Sequence, residues 1–218
     1  MPKTTMLRML PLSAAFALLL AACGERTPEL PTGALDQAAA CGVVAAASER
    51  EAAGAKGELP ADAQARILHY AMLYASTGKA LDEDRVNAVS KRMPALFDQT
   101  IRGNWQTLQP TCAAAFPATQ IRQPKLPAKP LDATLQCYTL AEFLRKALAD
   151  QGSTYAGAAN AYGALIEKLD ARVSVQLRAA GLRNGEALRQ RKLKELAAAA
   201  KLGQPPAVIH ACEKAYAV

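Results

Sequence analysis

In 218 residues the chain carries 26 Lys+Arg against 19 Asp+Glu, is 51% hydrophobic but only 5% aromatic, and holds five cysteines. Such a length builds one sizeable core or two small ones. No Cys-x-x-Cys spacing occurs, which leaves thioredoxin-like redox, zinc-ribbon and c-type haem chemistry without support.

At the start of the chain, Lys3 and Arg8 make a short positive region and Met9 to Leu20 an apolar run of about a dozen residues. That run is short of the roughly 20 residues of a membrane span and has the layout of an export leader. It closes on Leu20-Ala21-Ala22-Cys23. Small residues at 21 and 22 before a cysteine resemble the lipobox of bacterial lipoproteins. In that class the thiol takes a diacylglycerol, a dedicated signal peptidase cuts before the cysteine, and the new amine is acylated. The resemblance covers the first 23 residues. It implies a signal peptide over 1–22, lipidation at Cys23 and a place in the cell envelope, held to a membrane by the N-terminal lipid. Gly24, where other lipoproteins carry aspartate, resembles an outer-membrane sorting pattern facing the periplasm. Removing Lys3 and Arg8 with the leader leaves the mature chain still basic. Cys41, Cys112, Cys137 and Cys212 then form an even set, and an even set in an oxidising compartment reads as two disulfides.

Residues 23–34 contain Pro28, Pro31 and Gly33 and read as a tether. Helical periodicity follows, with no period-2 strand. The first predicted helix runs from Ala34 to Ala53 and fades at Gly54. Pro60 suits the first position of a second helix, and Ile67, Tyr70, Ala71 and Tyr74 stack along it. A third opens on Asp82-Glu83-Asp84, carboxylates that complement the helix dipole, and Pro94 predicts a kink or break within it. A short helix holds Cys112 and stops before Pro117.

Residues 117–130 contain four prolines, at 117, 124, 127 and 130, and read as an extended, semi-rigid linker. Beyond it, helices are predicted from Leu131 to Asp150, from Thr154 to Ala180 with Ser153 as cap, from Asn184 to Leu202, and from Pro205 through Cys212.

The halves 35–116 and 131–218 repeat one another. Leu35-Asp36-x4-Cys41 recurs as Leu131-Asp132-x4-Cys137, and Cys112-x3-Phe116 as Cys212-x3-Tyr216. Duplication selects among the three possible pairings, favouring Cys41 with Cys112 and Cys137 with Cys212. The expected fold is all-α: two tandem helical bundles of three to four helices, each closed by its own disulfide.

Reactive constellations are scarce. His69 has no carboxylate three or four residues away, and His210 points away from Cys212 on a helix, so neither is expected to bind a metal or catalyse. Each reads as an ordinary core-edge or surface histidine. Asp82-Glu83-Asp84 reads as a helix start rather than a cation site. Tyr155 and Tyr162 read as core fillers, the alternative being a ligand pocket between the halves. Trp105 is ambiguous. No Gly-x-Ser-x-Gly and no phosphate-cradling glycine loop occurs. The anomaly is charge: Arg178, Arg183, Arg189, Arg191, Lys192, Lys194 and Lys201 face only Glu186 and Glu195. For an exported protein, Arg178, Arg189, Arg191, Lys192 and Lys194 point to anionic lipid or an acidic protein partner rather than to nucleic acid. The chain thus reads as a non-catalytic envelope lipoprotein needing no cofactor or metal. The alternatives are an inhibitor or immunity-type protein that blocks a hydrolase, and an enzyme without a recognisable motif.

Overall fold

A computed structural model describes residues 28–54, 57–183 and 185–217. The leader, Cys23 and the first residues of the tether lie outside the described residues, as does Asn184. Among the described residues there are eight α-helices and no strand. They are α1 (Ala34–Ala53), α2 (Ala61–Ala75), α3 (Glu83–Thr100), α4 (Leu108–Ala115), α5 (Pro130–Ala149), α6 (Ala156–Ala179), α7 (Glu186–Leu202) and α8 (Pro205–Tyr216). No described helix is long and apolar enough to cross a membrane.

The architecture is all-α, in two four-helix halves. Each half is closed by its own disulfide, Cys41–Cys112 joining α1 to α4 and Cys137–Cys212 joining α5 to α8. The repeat extends beyond the cysteines. α1 and α5 are each 20 residues long. Asp36 at the start of α1 holds Arg92 of α3 in a two-pronged pair at 2.7 and 2.9 Å. In register with it, Asp132 on α5 pairs with Arg191 of α7. Each acidic residue of the Leu-Asp motif therefore ties the first helix of its half to the third.

Local chemistry marks several helix ends. Asp82 caps α3, its Oδ1 accepting from the backbone N–H groups of Asp84 and Arg85 at 3.0 and 3.3 Å. Gly54 ends α1 in the left-handed conformation, with φ 56°. Of the kink or break that Pro94 predicts, the break does not occur, and one predicted cap is not made. α3 continues through Pro94 without a break, because Val89 and Leu96 on either side are buried in the core, and that packing offsets the roughly 3 kcal/mol cost of an interior proline. Ser153 makes no capping bond; it opens a 3-10 turn, Ser153–Tyr155, and α6 starts after it at Ala156.

The two halves are not separate bodies. A single hydrophobic cluster runs from Met72, Val89 and Leu96 of the first half to Leu135, Leu144, Leu165 and Val208 of the second. α2 is shared by both halves, packing against α1 and α3 of the first and against α7 and α8 of the second. Polar bonds cross the same seam. The backbone N–H of Leu81 donates to Leu193 O at 3.0 Å. The Tyr155 hydroxyl donates to Leu59 O at 2.9 Å and accepts from Gln64 Nε2 at 3.0 Å. Tyr155 is therefore a core residue with its polar tip satisfied, not a pocket wall.

The stretch expected as a spacer is pinned at its start. Pro117–Gln120 forms a 3-10 turn, and the backbone N–H of Gln204 donates to Ile121 O at 2.9 Å. The approach is so close that a Cβ on Gly203 would lie 2.6 Å from Ile121 O. The tether, too, is shorter than the sequence suggests, because Leu30 already packs against the core.

Candidate functional site

The basic residues of α7 and the end of α6 do not form one patch. Arg189 is exposed and grips Glu186 at 2.6 and 2.7 Å; Arg189 and then Gln190 hold the Glu186 carboxyl down to about 2. Arg191 turns inward to Asp132 and to Glu195, a carboxylate only 4% exposed that also accepts from Gln136 Nε2 at 2.8 Å. Lys192 pairs with Glu142 at 3.1 Å and lies over the Tyr138 ring. Arg189 and Lys192 do meet Arg145 and Lys146 around a recess floored by Phe143, Leu193 and Leu196. Arg178 reaches Lys192 only across a separate recess, and Lys194 lines neither. Much of the charge that marks this segment in the sequence is thus neutralised within the fold.

The best-furnished cavity lies elsewhere, in the first half. α1, α2 and α4 form three walls of a cleft of about 490 Å³, which Thr119, Gln120, Arg122 and Gln204 complete. That volume falls within the roughly 300–1,000 Å³ of small-molecule sites. The repeat differs between the halves at this wall. Aligning Cys41 with Cys137 sets Ser48 of α1 in register with Leu144 of α5. Leu144 is fully buried in the core, whereas Ser48 borders the cleft. A larger recess of about 610 Å³ beside Met93, Pro94 and Phe97 is mainly apolar and offers few groups to orient a ligand.

Three features define the cleft chemically. Across one wall, Arg66 and Glu49 form a two-pronged ion pair at 2.6 and 2.7 Å, each satisfying much of the other's charge. Arg122 makes no ion pair among the described residues. The third feature is His69, which lines the cleft from α2 yet is itself 0% exposed.

His69 is held in one tautomer. Its Nε2 lies 2.7 Å from Ala200 O on α7. A carbonyl can only accept, so Nε2 carries the hydrogen and Nδ1 of the neutral ring is left as an acceptor. Nδ1 is buried and has no hydrogen-bond partner. Burial lowers the imidazole pKa from its ordinary 6.5 to about 4, against the opposing effect of the Ala200 bond. The ring is neutral at pH 7, and a buried unused acceptor of this kind is uncommon in folded proteins.

Sequence reasoning missed this residue by treating His69 alone, through its i±3 and i±4 neighbours. The signal lay in the whole helix. α2 reads ADAQARILHYAMLYA, with Asp62 and Arg66 as its only charged residues, and a helix apolar nearly all round is buried on more than one side. His210 is exposed, 3.7 Å from Glu213. Trp105 opens a 3-10 turn and packs on the small cluster around Cys41 and Cys112. Among the described residues no group of His, Cys, Asp and Glu is placed to hold a metal ion. No protein-family model matches the chain, and neither a curated protein nor a solved structure matches it.

Proposed function

We propose that this chain is a lipid-anchored protein of the cell envelope that acts by binding rather than by catalysis, and that the cleft over His69 is where it binds. The lipobox-like Leu20-Ala21-Ala22-Cys23 supports the address. The observation that carries the binding reading is the buried, unpartnered Nδ1 of His69 at a cleft lined with polar side chains. Leaving a buried acceptor unpaired costs on the order of 1–3 kcal/mol, a cost that a bound donor would offset. The spent charges of α7 give less support to docking on an anionic surface.

Two measurements test the reading. Cys23→Ala should shift the protein from the detergent phase to the aqueous phase or stall its processing; unchanged partitioning and unchanged mature mass would remove the anchor. For the cleft, the protein is purified natively from cells and its denatured extract analysed for co-purifying small molecules. Gln109→Trp, an exposed position at the rim, should deplete whatever the wild type carries. Identical extracts from the two proteins would place any bound molecule elsewhere.

A further inference from the structure

The ligand class follows from which hydrogen-bonding valences the fold has already used. Gln109, Gln120 and Gln204 all line the cleft, and each donates its Nε2 to a protein acceptor: Ser48 Oγ at 2.9 Å, Thr119 Oγ1 at 3.0 Å and Thr119 O at 2.7 Å. The hydrogen-bond network sets the sense of each amide, Gln204 by its carbonyl partner and Gln109 and Gln120 by hydroxyls whose own hydrogens are engaged. Ser48 Oγ and Thr119 Oγ1 have already donated their hydrogens, to Val44 O and Phe116 O, and a backbone carbonyl has none to give. Each amide therefore presents its Oε1 as the end without a protein partner. With the buried His69 Nδ1, the residues lining the cleft carry four acceptors that no protein group among the described residues uses, those of Gln109 and Gln120 on exposed side chains.

Charge selects among donor-rich ligands. An amine or polyamine supplies donors but brings positive charge to a cleft where Arg66 and Arg122 outnumber Glu49. An extended peptide presents as many backbone acceptors as donors, so it would leave part of this acceptor set unmatched. Hydroxyl groups supply donors without charge, and their oxygens accept from the remaining amide hydrogens and from Arg122. We infer that the cleft is a saccharide-binding site, in which the acceptors His69 Nδ1 and the Oε1 atoms of Gln109, Gln120 and Gln204 receive ligand hydroxyls.

This inference rests on the cleft being the binding site, and the test separates the two. Lipid-free protein of residues 24–218, its two disulfides formed, is titrated calorimetrically at pH 7. The probes are an N-acetylglucosamine tetramer, maltotetraose and N-acetylmuramic acid, with spermidine and tri-alanine as donor-bearing controls that are not saccharides. At least one saccharide should bind, and Gln109→Ala/Gln120→Ala should weaken it tenfold or more with Tm unchanged. His69→Gln is the sharper variant. Its amide nitrogen sits where Nε2 was and keeps the bond to Ala200 O, while the acceptor at Nδ1 is lost. It should fold with nearly wild-type Tm at pH 7 and bind the saccharide at least tenfold more weakly. Spermidine or tri-alanine binding through the glutamines, with no saccharide binding, would keep the site and overturn the ligand class. Binding of saccharide unaffected by any of these variants would overturn the site itself, and no heat with any probe would overturn the saccharide assignment.

Discussion

At the scale of single residues, His69 makes stability depend on acid. The unfolded imidazole titrates near 6.5 and the folded one near 4, so below pH 6.5 the unfolded state binds more protons and stability falls with pH. The loss begins at about 6.5 and is complete once pH has passed below the folded pKa. At 1.36 kcal/mol per unit it comes to about 3 kcal/mol. The charged groups lining the same cleft are the Glu49–Arg66 pair and Arg122, with the Tyr70 hydroxyl beside them, and the pair's carboxylate is already engaged. Urea unfolding at pH 7 and pH 4.5 should therefore show a loss in wild type that is largely absent in His69→Gln; equal losses in both would assign the acid sensitivity to other groups. Arg191 offers a second residue-scale test. Removing its guanidinium leaves Glu195, nearly fully buried, with Gln136 alone. Breaking one side of such a pair costs about 3–5 kcal/mol, so Arg191→Ala should lower stability several-fold more than Lys194→Ala, which touches no partner among the described ion pairs.

At the scale of elements, the helices were legible because each carries its own punctuation. α1 spans the predicted residues Ala34–Ala53, and Asp82, Gly54 and Pro205 mark ends that the fold uses. The duplication was legible because paired cysteines and the Leu-Asp motif fix the first and last helices of each half. What local pattern does not encode is which helix faces lie against distant chain. Hence the inward turn of Arg191 and the burial of His69 beneath α7 escaped a reading based on neighbours in sequence. The hydrogen bonds of Gln109 and Gln204 escaped for the same reason, since their partners lie 61 and 85 positions away. One junction between elements is directly testable. Gly203 lets the turn between α7 and α8 lie against Ile121, where any Cβ would meet the Ile121 carbonyl. Overpacking against backbone costs about 1–3 kcal/mol, so Gly203→Ala should lower Tm while Gly157→Ala, where a Cβ meets nothing within 4 Å, should raise it or leave it unchanged.

At the scale of the whole molecule, the covalent and noncovalent partitions differ. The disulfides divide the chain into two loops, each of which removes about 4 kcal/mol of unfolded-state freedom in the chain-entropy model. The core does not divide, because α2 packs against helices of both halves. Cutting the protein once between Lys125 and Lys129 should therefore leave two fragments that migrate together under native conditions. They should separate in denaturant without any reductant, whereas a fragment pair that separates under native conditions would show the shared core to be weak. Intact protein should unfold in one calorimetric transition, its van't Hoff and calorimetric enthalpies agreeing.

The order of the bridges, first cysteine with second and third with fourth, also bears on how such a chain is made. For a polypeptide that crosses a membrane N-terminus first, each thiol meets its partner before any competing thiol has emerged. An oxidant that acts vectorially then yields the native connectivity without an isomerase to reshuffle it. Yet Cys112 emerges before α7 and α8, the helices that cover the far side of α2. On such a route the first half would be sealed covalently while the face of α2 that meets α7 and α8 is still bare, leaving His69, which bonds Ala200 O of α7, open to chaperones until those helices arrive.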